Sequence, residues 1–86
     1  MSVTIKFTSG DTHEIKPGPE SMALVRASFN PSGKEEVDAI KLLAAALIAE
    51  INAYKANPTT ARHASLAITA VEEGAMWAVK AATAGS

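Results

Sequence analysis

No cysteine occurs among the 86 residues, which excludes disulfides, thiolate catalysis and cysteine-based zinc or iron–sulfur sites. Aromatics are scarce, at one Trp, one Tyr and two Phe, so a core cannot be built from large rings. Neither sign of charge dominates, since eight Lys and Arg oppose nine Asp and Glu for a formal net charge of −1. A protein that tracks a nucleic-acid backbone needs a basic field, so polymeric nucleic acid is not an expected partner. A small anion held by a few placed cations is not excluded. Long apolar runs are missing too. The stretch LLAAALIAEI is interrupted by Glu50, and the opening MSVTIKF has neither the basic n-region nor the apolar run of a signal peptide. The expectation is a soluble, intracellular protein with no membrane partner.

What the chain has in excess is alanine, eighteen residues of it, sixteen from Ala39 onward. Alanine favours helix and adds little core volume, so the helices should pack closely against other helices, including those of other chains. A chain of this length makes a single domain, residues 1–86, which buries only about 60% of its unfolded surface. Self-association is an economical way to add to that.

The chain changes character once. Val3, Ile5 and Phe7 alternate with Thr4 and Lys6, the period of a half-buried strand. Ser9-Gly10-Asp11 signals a turn, and Thr12 to Ile15 returns as a second strand. KPGPES then forces a loop, and MALVRASF, Met22 to Phe29, reads as a third strand, completing a β-rich part over 1–30. Asn30-Pro31-Ser32-Gly33 is a hinge. Ser32 and Glu35 have the spacing of a capping box, and Glu35, Glu36 and Asp38 suit the positive end of a helix dipole. Val37, Ile40, Ala44, Leu47, Ile51 and Tyr54 predict one seam of a helix reaching about Ala56. Asn57-Pro58-Thr59-Thr60 starts a second helix, with Asn57 or Thr59 as N-cap. Its seam is Ala61, Ala64, Ile68, Val71, Ala75, Ala78 and Ala82. The short connection makes the two helices an antiparallel αα-hairpin over 32–84. Leu42, Leu43, Ile48, Leu66, Met76, Trp77 and Val79 lie off these seams, and a second apolar surface implies burial against other subunits. The fold class expected is α+β, a small antiparallel N-terminal β-sheet followed by a long antiparallel αα-hairpin.

Catalytic constellations are missing. No GxGxxG, P-loop, GxSxG or HExxH motif occurs. His13 and His63 fall in different halves, which argues against a metal site, and the acidic residues at the first helix start are explained by its dipole. Glu72 and Glu73 read as the polar face of the second helix or as an interface ion pair. The chain is therefore expected to be no enzyme and to carry no cofactor. What remains is a set of cations and helix starts suited to an anion: Arg26, Lys34, Lys41 and Arg62. Lys41 sits in an apolar stretch between Ile40 and Leu42, either as a site cation or as a lysine that snorkels to water. Phe29 can cover the core or a flat ligand.

The segments VRASFNPSG, EEVDAIKLLAAALIAEI and RHASLAITAVEEGAMWAVKA together resemble the phage-encoded cyclic-nucleotide sponges that counter the Thoeris and CBASS immune systems. The resemblance covers Arg26 to Ala82 well. The opening MSVTIKFTSGDTHEI looks like an abbreviated form of the N-terminal sheet of the anti-Thoeris type. It implies a non-enzymatic protein of the host bacterial cytoplasm that binds cyclic di- or trinucleotides or cyclic ADP-ribose isomers and holds them intact. It further implies a homo-oligomer, from dimer to hexamer, and because a protomer this small cannot easily enclose a nucleotide alone, the pockets are expected between subunits. By resemblance, Phe29 and Lys41 are ligand contacts and Arg62 a phosphate contact in a second pocket type. Arg26, Asn30, Ser32 and Thr60 can add contacts. The shortened β region favours cyclic oligonucleotides over cyclic ADP-ribose. The rival reading is a structural or regulatory helical-hairpin oligomer without a small-molecule ligand, and a nucleotide-hydrolysing enzyme comes third.

Overall fold

A computed structural model describes residues 1–84. Two strands, β1 (Val3–Lys6) and β2 (Thr12–Ile15), pair antiparallel with Val3 opposite Ile15 and Lys6 opposite Thr12. Their turn is closed by hydrogen bonds from the Phe7 amide to the Asp11 carbonyl and from the Gly10 amide to the Phe7 carbonyl. Gly10 has a φ of +95°, which a side chain would resist. The hairpin and the turn therefore form as the alternation and Ser9-Gly10-Asp11 imply, but the half-buried face does not, since Ile5 and Phe7 are exposed and β1 ends before Phe7.

The third strand does not form. Pro19–Leu24 is a short helix, α1, with Gly18 at its N-cap and Pro19 at its start. The proline presets the helical φ. Ser21 and Val25 are buried and Met22 half-buried, whereas Ala23 and Leu24 face solvent, so burial follows a helical turn and not a period of two. Turns carry the chain from Val25 to Lys34.

The helical hairpin follows, as α2 (Glu35–Asn52), a 3-10 turn (Ala53–Ala56) and α3 (Ala61–Thr83). The fold is α+β, a two-stranded sheet and a long helix pair, as expected from the pattern. Val25, Ala45, Ile48, Ile68 and Ala75 form the core, with Met22, Ala44, Ile51 and Val71 packed against it. Thus α2 is packed against α1 as well as α3. The α3 seam lies where the spacing puts it, with Ala64, Ile68 and Ala75 buried. The α2 seam is rotated. Its buried line runs Val37, Lys41, Ala45 and Ile48, while Leu47 and Tyr54 are 50% and 60% exposed. The shift has a definite cause: a lysine occupies one of the buried positions, and an apolar pattern cannot count it.

Both helix starts also differ from the motif reading. Lys34, not Ser32, is the N-cap of α2, and it makes no side-chain cap. Glu35 is thus the first helical residue, too early to complete a capping box. Thr60, not Asn57 or Thr59, is the N-cap of α3, and Pro58 lies in the preceding turn. Asn57 still organises that turn, accepting the Thr59 amide at 2.9 Å on its side chain and the Ala61 amide at 2.9 Å on its carbonyl.

Candidate functional site

The segment between α1 and α2 is where polar chemistry gathers. Phe29 is 58% exposed, so its ring is not core. Arg26 lies over one side of it, with the guanidinium carbon 5.8 Å from the ring centroid, and the Lys41 Nζ is 5.5 Å from the same centroid. Both separations fall within cation–π range. Arg26 is the one non-glycine residue with a positive φ, +54°, among the described residues. That conformation costs an L-residue about 1–2 kcal/mol.

Lys41 does not snorkel. It is 6% exposed, and its Nζ donates to the carbonyl of Arg26 at 2.8 Å and to the carbonyl of Phe29. Asn30 holds the next part of the loop. Its Nδ2 donates to the Lys34 carbonyl at 2.9 Å and to Asp38 Oδ1 at 3.0 Å, while its Oδ1 accepts from Ser32 Oγ at 2.6 Å and from the Gly33 amide at 3.2 Å. Ser32 in turn accepts the Lys34 amide at 3.2 Å. Gly33, with a φ of +69°, supplies the left-handed step this knot requires.

Beside the loop lies an open cavity of about 840 Å³, within the usual range of about 300–1,000 Å³ for small-molecule sites. Met22, Ala23, Ala27 and Leu42 give it an apolar lining, next to Phe29, Arg26, Ser28 and Asp38. A flat ring and a cation at an apolar concavity can take an aromatic base and an anionic group.

Five of the seven sequence-derived site residues therefore share one loop region: Arg26, Phe29, Asn30, Ser32 and Lys41. Thr60 and Arg62 do not join them. They sit where α3 begins, beside the end of α2, and Thr60 Oγ1 is bonded to the Tyr54 carbonyl at 2.7 Å. Lys34 Nζ reaches the Ala82 carbonyl at 3.1 Å at the opposite end, so the 18 residues of α2, about 27 Å at helical rise, separate the two groups within one chain. Asp38, Met22 and Leu42 were missed as cavity residues. Asp38 had an adequate explanation in the helix dipole, and Met22 and Leu42 were indistinguishable from core residues.

His13 is exposed, and its Nε2 lies 2.6 Å from Glu50 Oε1. Among the described residues no cluster of His, Asp or Glu is arranged to hold a metal ion, and no helix is long and apolar enough to cross a membrane. A family model, Acb2/Tad1, hairpin domain, matches residues 2–83. No curated protein and no solved structure matches the chain.

Proposed function

The chain belongs to the Acb2/Tad1 hairpin family of phage cyclic-nucleotide sponges, and on that premise we propose that it sequesters cyclic di- or trinucleotide immune signals, without degrading them, at the cavity beside Phe29. The observation that carries the assignment of the site is the exposed Phe29 ring, with Arg26 over it, at an apolar cavity of nucleotide size. A base stacks on the ring, a contribution of about 1–3 kcal/mol. The Arg26 guanidinium meets a phosphate through charge-assisted hydrogen bonds. Asp38 accepts a hydrogen bond from a ribose hydroxyl or an exocyclic amine, and the apolar wall excludes water.

Oligomerisation belongs to the same reading. Leu43, Leu47, Leu66, Met76 and Trp77 are each at least half exposed on the helix pair, which supports their burial against further copies. A second copy would narrow the open cavity and could bring Arg62 and Thr60 to a separate site shared between subunits. The protein acts in the host bacterial cytoplasm, where the signals are made. Cyclic ADP-ribose isomers are less favoured ligands because only two short strands precede α1.

The test is calorimetric titration of the purified protein with cyclic di-AMP, cyclic di-GMP, a cyclic trinucleotide and cyclic ADP-ribose isomers, with molar mass measured by light scattering. Submicromolar binding at less than one ligand per chain, and recovery of unaltered ligand on heating, is the expected result. No heat with any ligand from a folded oligomer would favour the structural helical-hairpin reading. A chemically altered ligand would make the protein an enzyme.

A further inference from the structure

We infer that Lys41 is a positioning residue: it holds the carbonyls of Arg26 and Phe29 from inside the protein, so that Arg26, not Lys41, presents the positive charge to a bound anion. The inference rests on the sponge reading for the identity of the ligand, but its geometric part stands on the ligand-free chain.

Three observations converge on it. Lys41 is buried on α2, in line with Val37, Ala45 and Ile48, and two donors of its ammonium are already committed to carbonyls of the loop. A buried lysine can be retained only where such partners satisfy it. Those carbonyls bracket the Arg26–Phe29 turn, in which the Phe29 amide donates to the Arg26 carbonyl at 2.9 Å. Arg26 itself is in a left-handed conformation, unfavourable for arginine, and exposed. Strained residues persist only where their surroundings over-determine them. Here the surroundings are the Lys41 bond from below and the Arg26 amide bond to Ala23 at 3.0 Å from the side. The consequence is that the guanidinium and the ring are presented together at the cavity.

Direct contact and positioning predict different behaviour on substitution. An exposed charge that meets an anion is screened by salt, with a Debye length of about 10 Å at 0.1 M, whereas a buried charge is screened much less. Affinity for cyclic di-AMP should be measured across salt concentrations for the wild type, Lys41→Met and Arg26→Gln, with Lys55→Met beyond α2 as the control for losing one charge. Lys41→Met is expected to weaken binding about tenfold with a salt dependence matching that of Lys55→Met, and Arg26→Gln to flatten the salt dependence. Hydrogen exchange on the ligand-free proteins completes the test. The Arg26, Ala27 and Phe29 amides should exchange at least tenfold faster in Lys41→Met, with α3 unchanged, and Lys41→Arg should restore their protection. If Lys41→Met leaves loop exchange unaltered and flattens the salt dependence as Arg26→Gln does, Lys41 touches the ligand and the inference is wrong. If the wild type binds no cyclic nucleotide, the sponge reading and the role of Arg26 fail together, while loop exchange still decides the role of Lys41. Should Lys41→Met not fold, exchange in Lys41→Arg and in Arg26→Gly, which keeps the left-handed turn without the guanidinium, decides the same question. Loop protection retained in both, with affinity lost only in Arg26→Gly, supports the inference, and the reverse order overturns it.

Discussion

The helix pair and the segment that precedes it are held together by different physics. Between α2 and α3 the contact is continuous and apolar, with Ala45 and Ile48 at 0% exposure and small residues repeated along α3. In the first 34 residues little is buried: Ile15, Ser21 and Val25 are, whereas Ile5, Phe7, Leu24 and Phe29 are largely exposed. Its position is fixed by those few apolar anchors, Ile15, Met22 and Val25, together with single polar contacts, from Lys41 to the loop carbonyls, from Asn30 to the start of α2 and from His13 to Glu50. Packing gives stability that no single atom controls. Point contacts give a definite geometry that single substitutions can alter, which suits a segment proposed to present a ring and a cation.

The sharpest way to break this contrast is to damage the packed half. Ile48→Ala removes a fully buried side chain and should cost about 2–5 kcal/mol, lowering Tm by more than about 10 °C in a chain of this size. Thermal unfolding checks it, and a fall of only a degree or two would mean that the core collapses around the gap. Next in size is Ala75→Leu. Ala75 is buried in the core cluster, and extra volume there should cost about 1–3 kcal/mol. Light scattering beside the melt shows whether the helix pair alone or also the assembly is disturbed.

A smaller effect, and a local one, is expected in the loop. Asn30→Ala removes contacts to Ser32, Gly33, Lys34 and Asp38 at once, but the site is half-buried and water can replace several of them. A loss of about 1 kcal/mol follows, with faster exchange at the Gly33 and Lys34 amides and unchanged protection in the middle of α3. A global loss of protection would show that the loop is integral to the core.

The same difference governs what could be read from the sequence. The α3 seam was legible because burial there follows apolar spacing, and the β-hairpin because alternation and Ser9-Gly10-Asp11 agree. The α2 seam was displaced by Lys41, whose burial depends on carbonyls 12 and 15 residues earlier that no periodicity encodes. Met22 to Phe29 reads as strand because Leu24 and Val25 can face opposite ways in an extended run, whereas Pro19, the residue that starts α1, lies upstream of that run. Arg26 and Lys41 stand out in the sequence as cations suited to an anion, and the family resemblance pairs Lys41 with Phe29 as ligand contacts. The roles proposed for them rest on the left-handed backbone of Arg26 and on the Lys41 ammonium, whose carbonyl partners only the folded loop brings within reach.

The smallest effect tests whether a point contact can orient the β-hairpin without stabilising it. His13 and Glu50 are each about half exposed, and an exposed side-chain contact of that kind contributes about 0–1 kcal/mol. His13→Ala should therefore lower Tm by at most about 4–8 °C. Ile15, 7% exposed at the end of β2, should carry most of the docking, so Ile15→Ala should release the hairpin and accelerate exchange across the β1–β2 pair. In the double variant, His13→Ala should add almost nothing to Ile15→Ala, because the contact with Glu50 cannot form once the strand that bears His13 has left α2. A strictly additive pair of effects would mean instead that the histidine acts within the hairpin and that Glu50 is incidental to it.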